Sequence, residues 1–169
     1  MTSPNPEKDA LKFVDGLEEK WRRRDAAVEL PLPLLSSLID GDSSEESLVK
    51  RLFRQCIRLM LKLRASTSTS FEKALERIWV SVDIDDKKTP ANSYTFGFSA
   101  SDMRKYGGGM GWGFARGVYN LPPRTIVNAR IHIRDLNDVH VNTFEVSMGN
   151  LDLYYSLLAL IKCFSHNWD

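Results

Sequence analysis

The segment that most constrains this chain is Ser43–Ser66, SSEESLVKRLFRQCIRLMLKLRAS, in which apolar residues recur at steps of three and four. Leu48, Val49, Leu52, Phe53, Cys56, Leu59, Met60 and Leu63 share one broad helical face. A helix with such a face is stable only when another apolar layer covers it. Ser43 and Glu46 have the spacing of a capping box, which predicts the helix start. Glu45 and Glu46 stand at the positive end of the helix dipole, and the cations follow towards the negative end.

Ser47, Arg51, Arg54, Arg58 and Lys62 recur on the other face. From Lys50 to Arg64 there are six cations and no acid. Residues 1–49 hold 11 acids against 6 bases, whereas residues 66–169 hold 11 of each. With no acid between Lys50 and Arg64, pairing four residues apart within that stretch is excluded. The face is therefore either a solvated surface or a docking strip for something anionic: a nucleic-acid backbone, a ribonucleoprotein or a lipid headgroup layer. Lys50, Arg51, Arg54, Arg58 and Lys62 are the candidate anion-binding residues. The acidic segment before them would be placed to mask the strip.

On either side the pattern changes. Residues 1–6 are a disordered start, and Glu7–Ala27 has helical spacing. Pro31, Pro33 and Gly41 then mark a hinge, so residues 1–42 form a helical arm and residues 43–169 the core. Thr69 and Glu72 offer a second capping box for a short helix to about Glu76. Ile78, Val80, Val82 and Ile84 alternate with Trp79, Ser81 and Asp83, which predicts a strand with one buried face. Tyr94, Phe96 and Phe98 alternate as a second strand, and ASDMRK follows as a polar turn.

Six glycines lie between Gly107 and Gly117. Glycine-rich loops cradle phosphates through exposed amides. No Lys-Ser/Thr follows and no helix is predicted to open after them, so neither nucleotide-binding fingerprint is met. The expectation is a flexible loop running into a strand over Trp112–Tyr119. Gly109, Met110, Gly111 and Trp112 would form its tip, a candidate self-association or membrane-inserting loop.

Ile126–Arg134 and Val139–Met148 predict a hairpin joined by Asp135-Leu136-Asn137, with Asn137 left-handed and a bulge near Asn142–Thr143. That register sets His132 opposite His140 on the outer face, where two imidazoles fall short of a zinc ligand set. Asn150 is expected to cap a final helix, Leu151–Phe164, which is apolar on nearly every side and so buried. In the SHNWD tail an exposed Trp168 would be a self-association handle.

The length of 169 residues suits one domain, and 43% hydrophobic residues suffice for a core. Cys56 and Cys163 fall on apolar helix faces, as buried free thiols in a reducing compartment. No N-terminal apolar run suggests secretion. Leu153–Phe164, the longest apolar stretch, is too short to span a bilayer. No paired carboxylates, nucleophile elbow or metal signature stands out, so a non-enzyme without cofactor or small-molecule substrate is expected. The fold expected is a single α+β domain: N-terminal helices, a mainly antiparallel sheet of about five strands and a closing C-terminal helix.

At WGFARGVYNLPPRTIV and the following NARIHIRDLNDVHVNTFEVSM, preceded by the apolar-basic helix KRLFRQCIRLMLKL, the chain resembles a rhabdovirus matrix protein of the short, plant-infecting form. The resemblance covers about residues 48–148 and rests on the order of elements plus one turn motif. It implies a self-associating α+β protein of the virion and host cytoplasm. Such a protein condenses the nucleocapsid and its RNA and bridges it, without a transmembrane segment, to an anionic membrane surface or glycoprotein tail. This chain departs from the family's animal-virus members. Its first 49 residues are net acidic rather than Lys-rich, and Pro122-Pro123 is followed by Arg124, not by a PPxY tyrosine. Tyr154-Tyr155-Ser156-Leu157, although YxxL-like, lies in the helix expected to be buried. Two other classes fit the same cations. One is a small RNA-binding viral effector (movement or silencing-suppressor type) that stacks bases on Tyr94, Phe96, Phe98 or Trp112. The other is a host lipid- or peptide-binding adaptor.

Overall fold

The computed structural model describes residue 12 and residues 47–67, 70–85 and 93–165. Lys12 is helical and exposed; otherwise the arm and hinge expected over 1–42, the Ser43–Glu46 cap and Trp168 lie outside the described residues. The elements run α1 (Leu48–Thr67), α2 (Phe71–Arg77), β1 (Ile78–Asp85), β2 (Tyr94–Ser99), α3 (Ala100–Tyr106), α4 (Gly109–Tyr119), β3 (Ile126–Asp135), β4 (Val141–Gly149) and α5 (Asn150–Ser165). The chain is an α+β domain. Its four strands pair antiparallel throughout in the order β2-β1-β3-β4.

The period-two reading of the strands holds. Ile78, Val80, Val82 and Ile84 of β1 are buried, as are Phe96 and Phe98 of β2 and Val127, Ala129, Ile131 and Ile133 of β3. This face carries the helical layer. Leu52, Phe53, Cys56, Ile57 and Met60 of α1 are fully or almost fully buried, with Leu153, Leu157, Leu160 and Phe164 of α5. Phe53 and Phe164 meet edge to face, 5.3 Å between ring centroids. No residue from Asn150 to Phe164 is exposed, in keeping with the all-round apolar character of that segment.

The described α1 begins later than expected. Ser47 caps it, its hydroxyl accepting from Lys50 N at 3.2 Å and its carbonyl from Arg51 N at 3.1 Å. Ser70 caps α2 in place of Thr69, accepting from Lys73 N at 3.3 Å. At the α2–β1 junction, Arg77 donates twice to the Asp135 carboxylate, at 3.0 and 2.7 Å, and its carbonyl accepts from Leu136 N. That fork ties the start of β1 to the end of β3.

Other local expectations fail between β2 and β4. The ASDMRK turn is helix α3. Ser99 accepts from Asp102 N at 2.9 Å and Asp102 reaches back to Ser99 N, so a capping box with Asp in the Glu position starts a helix there. The expected strand Trp112–Tyr119 is helix α4, which lowers the strand count from about five to four. In the hairpin, β3 and β4 pair without interruption from Ile126↔Gly149 to Arg134↔Val141, so there is no bulge, and Asn137 is not left-handed. The connection is longer than expected, Leu136–His140. It is braced by Asn137 N on Asp135 Oδ1 and His140 N on Asp138 Oδ1, and so Val139 and Val141 are left outside the core.

Asn150 does not cap α5. Its amide nitrogen donates across the fold to the Val118 and Leu121 carbonyls at 3.0 and 3.1 Å, anchoring the end of α4 to the start of α5.

Candidate functional site

The basic face of α1 divides into two parts. Arg51, Arg58 and Lys62 are exposed and, at 100° per residue, fall within a stripe about 40° wide. Lys50 and Arg54 are half-buried on its flank. Lys50, Arg54 and Arg58 are also held by interactions within the chain. The Arg51 guanidinium stands 5.5 Å from the centroid of the Phe144 ring on β4, a cation–π contact over a half-buried ring. The expected strip of five cations is therefore a stripe of three with two flanking.

The glycine segment is a helix because its glycines answer tertiary demands. Gly107, Gly108 and Gly109 all have positive φ and turn the chain sharply out of α3, with Gly108 N donating to Asp102 O at 3.0 Å. Gly111 faces β2 so closely that a Cβ there would collide with the Gly97 carbonyl oxygen. On its opposite flank Gly97 is covered by the Trp79 indole, which a Cβ at Gly97 would meet at 2.6 Å. Helix α4 is thus seated against β2, with Gly111, Ala115 and Val118 buried.

The four expected tip residues separate accordingly. Gly109 and Met110 are exposed, Met110 at 85%; Gly111 is buried; Trp112 is half-buried and packs on Tyr154 at 4.6 Å between ring centroids. Tyr154 also meets Tyr119 and Tyr155 at 4.9 and 5.2 Å, so these four rings form one cluster between α4 and α5. Phe114, one turn on from Met110, is 59% exposed, and Tyr106 before the glycine turn is 73% exposed. The expected loop tip and strand hid this pairing, because they put Met110 in the loop and Phe114 in the strand, whereas in one helix the two stand a turn apart on the same face.

The sequence around this helix is basic, although Arg104 is ion-paired to Glu72 and Arg130 and Arg134 belong to the outer face of β3. From Met103 to Arg134 there are six cations (Arg104, Lys105, Arg116, Arg124, Arg130, Arg134) and no acid. Tyr106, Met110 and Phe114 lie within this stretch.

The face of the sheet away from the helices carries a polar row across all four strands. Thr95 Oγ1 donates to Asp83 Oδ1 at 2.7 Å, Asp83 Oδ2 meets His132 Nε2 at 2.7 Å, and His132 Nδ1 meets Thr143 Oγ1 at 2.9 Å. The Thr95 hydrogen bond, with help from His132 and Arg130, holds the Asp83 carboxyl below the usual carboxylate range against the opposing effect of burial. His132 faces Thr143 rather than His140, because the unbulged register shifts the partner by three residues. His140 sits in the turn on Asp138, whose carboxyl is pulled down to about 2 by hydrogen bonds from the His140 ring and backbone. Among the described residues no three His, Cys, Asp or Glu are grouped to hold a metal. Nor is any helix long and apolar enough to cross a membrane. Cys56 and Cys163 are both free and buried, and burial pushes the Cys56 thiol far above its ordinary value.

Of the four rings expected as stacking platforms for single-stranded RNA, two are buried and two, Tyr94 and Trp112, are half-buried. Phe96 and Phe98 are buried beneath the helices, and half-buried Tyr94 stacks on Phe96 at 6.0 Å. No protein-family model, curated protein or solved structure matches the chain. The surface chemistry is therefore what bears on function: a cationic stripe on α1, and an apolar ridge on α4 within a stretch of sequence rich in cations.

Proposed function

We propose that this chain is a matrix-like structural assembly protein of a virion, which self-associates, condenses a ribonucleoprotein and links it to a membrane or envelope. The observation that carries the reading is the α4 ridge. Met110 and Phe114 are largely exposed on a firmly seated helix, inside 32 residues with six cations and no acid. Exposed bulky apolar groups in a stretch of sequence rich in cations suit an anionic interface: the apolar groups enter the acyl boundary and nearby cations meet the headgroups. The stripe Arg51, Arg58 and Lys62 is a separate surface, suited to a phosphate backbone. Two anion-seeking surfaces on one small domain support bridging, with the protein in virion and host cytoplasm and peripheral to the membrane. The chemistry required is electrostatic docking, with no catalytic step and no cofactor. Burial of Phe96 and Phe98 counts against the stacking effector.

The test pairs two assays. Flotation with phosphatidylcholine vesicles, with and without phosphatidylserine, reads the ridge. Full burial of one such side chain is worth about 1.5–3 kcal/mol, so Met110→Ser/Phe114→Ser should weaken binding at least tenfold. Sedimentation with RNA against salt reads the stripe. At a slope near −0.7 per phosphate contact on single strands, Arg51→Glu/Arg58→Glu/Lys62→Glu should flatten the log–log dependence by about 2. Vesicle binding without RNA binding would favour the lipid-binding adaptor; neither would end the reading.

A further inference from the structure

The two edges of the sheet are treated differently. The β2 edge carries α4, seated at Gly97. The β4 edge has no strand paired to it among the described residues. Edge strands are ordinarily blunted by a bulge, a proline, a lysine or a short length. Strand β4, VNTFEVSMG, has none of these: it runs nine residues in unbroken register, and its one charge is Glu145. Its inward row, Phe144, Val146 and Met148, packs on the core yet stays only half-buried. The core therefore stops at this edge with its apolar row unfinished.

We infer that β4 pairs antiparallel with β4 of a second copy, about a two-fold axis at Val146, making one continuous eight-stranded sheet. The inference takes up the self-association limb of the proposed function and rests on it there alone. The occupant and register follow from the strand's own symmetry. Pairing must set inward residues against inward residues, so a two-fold axis passes through a residue position. An axis at Glu145 opposes two carboxylates. An axis at Phe144 sets Asn142 against Val146 inside the apolar row. An axis at Val146 opposes Phe144 with Met148, Val146 with Val146 and Met148 with Phe144, so the row closes on itself. Outside, Glu145 then meets the partner's Ser147, whose hydroxyl can donate to the carboxylate, and this happens twice per dimer. A second copy brings the same unfinished row and the same single acid, which is why it fits.

Ser147 gives a test with two signs. It is exposed and faces Asn128 within its own sheet, with Asp85, Arg130 and Glu145 lining the same shallow pocket, so the quantity to read is the dimer affinity of each variant rather than its stability. Sedimentation equilibrium on the full chain should show a dimer that Ser147→Glu weakens about tenfold, from two like-charge pairs, and Ser147→Lys tightens by a similar factor. Both effects should shrink with salt. Val146→Cys should form an intermolecular disulfide, because directly opposed residues have the required spacing, whereas Glu145→Cys should not. The native cysteines, both buried, provide the background. A monomeric native chain, equal effects of Ser147→Glu and Ser147→Lys, or equal cross-linking at both cysteine positions would each overturn the inference. RNA and vesicle binding retained by a Ser147→Glu monomer would separate its fate from that of the docking reading.

Discussion

Gly111 and Gly113 stand two residues apart in α4, and alanine at each should act in opposite directions. A Cβ at Gly111 would overlap the Gly97 carbonyl oxygen and lie 2.7 Å from its carbon and 2.9 Å from Phe98 Cδ1. None of these atoms can yield easily. Gly97 is paired with Ser81 in the sheet and Phe98 is fully buried. The helix must therefore move outward, unseating Ala115 and Val118, which are both fully buried. Overpacking of this kind costs about 1–3 kcal/mol, and backbone-against-backbone contact puts Gly111 at the upper end. Alanine recovers about 1 kcal/mol of helix propensity. The net loss is about 2 kcal/mol, or about 4–8 °C in Tm for a chain of this size. At Gly113 a Cβ meets nothing within 4 Å, so only the propensity gain of about 0.5–1 kcal/mol remains, raising Tm by about 1–4 °C. Thermal unfolding followed by circular dichroism under one set of conditions measures both. If both variants are stabilised alike, α4 is not seated on β2, and the exposed ridge of Met110 and Phe114 loses its rigid base.

Three further outcomes follow from named contacts. Asp135→Ala leaves the Arg77 fork and the Asn137 amide without their acceptor. It should cost about 2–3 kcal/mol, read in denaturant midpoints, with Asp135→Asn costing less because it retains part of the hydrogen bonding. Asp83, whose folded pKa is lowered, stabilises the fold above the unfolded carboxylate value of about 3.9, and the contribution is lost as pH falls through the lower folded value. Melting from pH 6 to pH 3 should therefore fall less steeply for Asp83→Asn than for the native chain. Cys56 is fully buried, so its alkylation by iodoacetamide should require unfolding and slow in step with any stabilising substitution, such as Gly113→Ala.

Much of the fold was legible because burial imposes a period. The faces of α1, β1, β2, β3 and α5 could each be read from their apolar spacing, since one side of each element meets the same core. The misreadings arose where a tertiary contact outweighs a local rule. Glycine ordinarily counts against helix by about 1 kcal/mol per residue, and six of them between Gly107 and Gly117 suggested a loop. Only the approach to Gly97 explains Gly111, and that partner lies 14 positions away. A signal was nonetheless present: Gly111, Ala115 and Val118 form a small apolar face at helical spacing. The bulge was an artefact of assigning Val139 and Val141 to the core. Leaving both outside lengthens the turn and restores simple alternation through Phe144, Val146 and Met148. At the candidate site the cations of α1 were legible by type but not by depth. Which of the five are exposed depends on how the helix is rotated over the sheet, and composition does not fix that.

The asymmetry of the sheet edges also limits what β4 pairing can build. A β4–β4 contact is isologous, the same patch on both copies, and it uses up the only strand edge that α4 leaves uncovered among the described residues. Such pairing closes at two copies and cannot propagate into a fibre of stacked strands. A matrix-like coat needs larger assemblies, so a second, different contact must join the dimers. The α4 ridge and the α1 stripe each recur twice on a two-fold dimer, which doubles the anionic contacts made in one docking event. Salt-sensitive scattering should therefore grow with added RNA or anionic vesicles for the native chain. A Ser147→Glu monomer should respond only at higher protein concentration. Equal responses from the two would show that dimerisation contributes nothing to assembly, even if the β4 pairing itself exists.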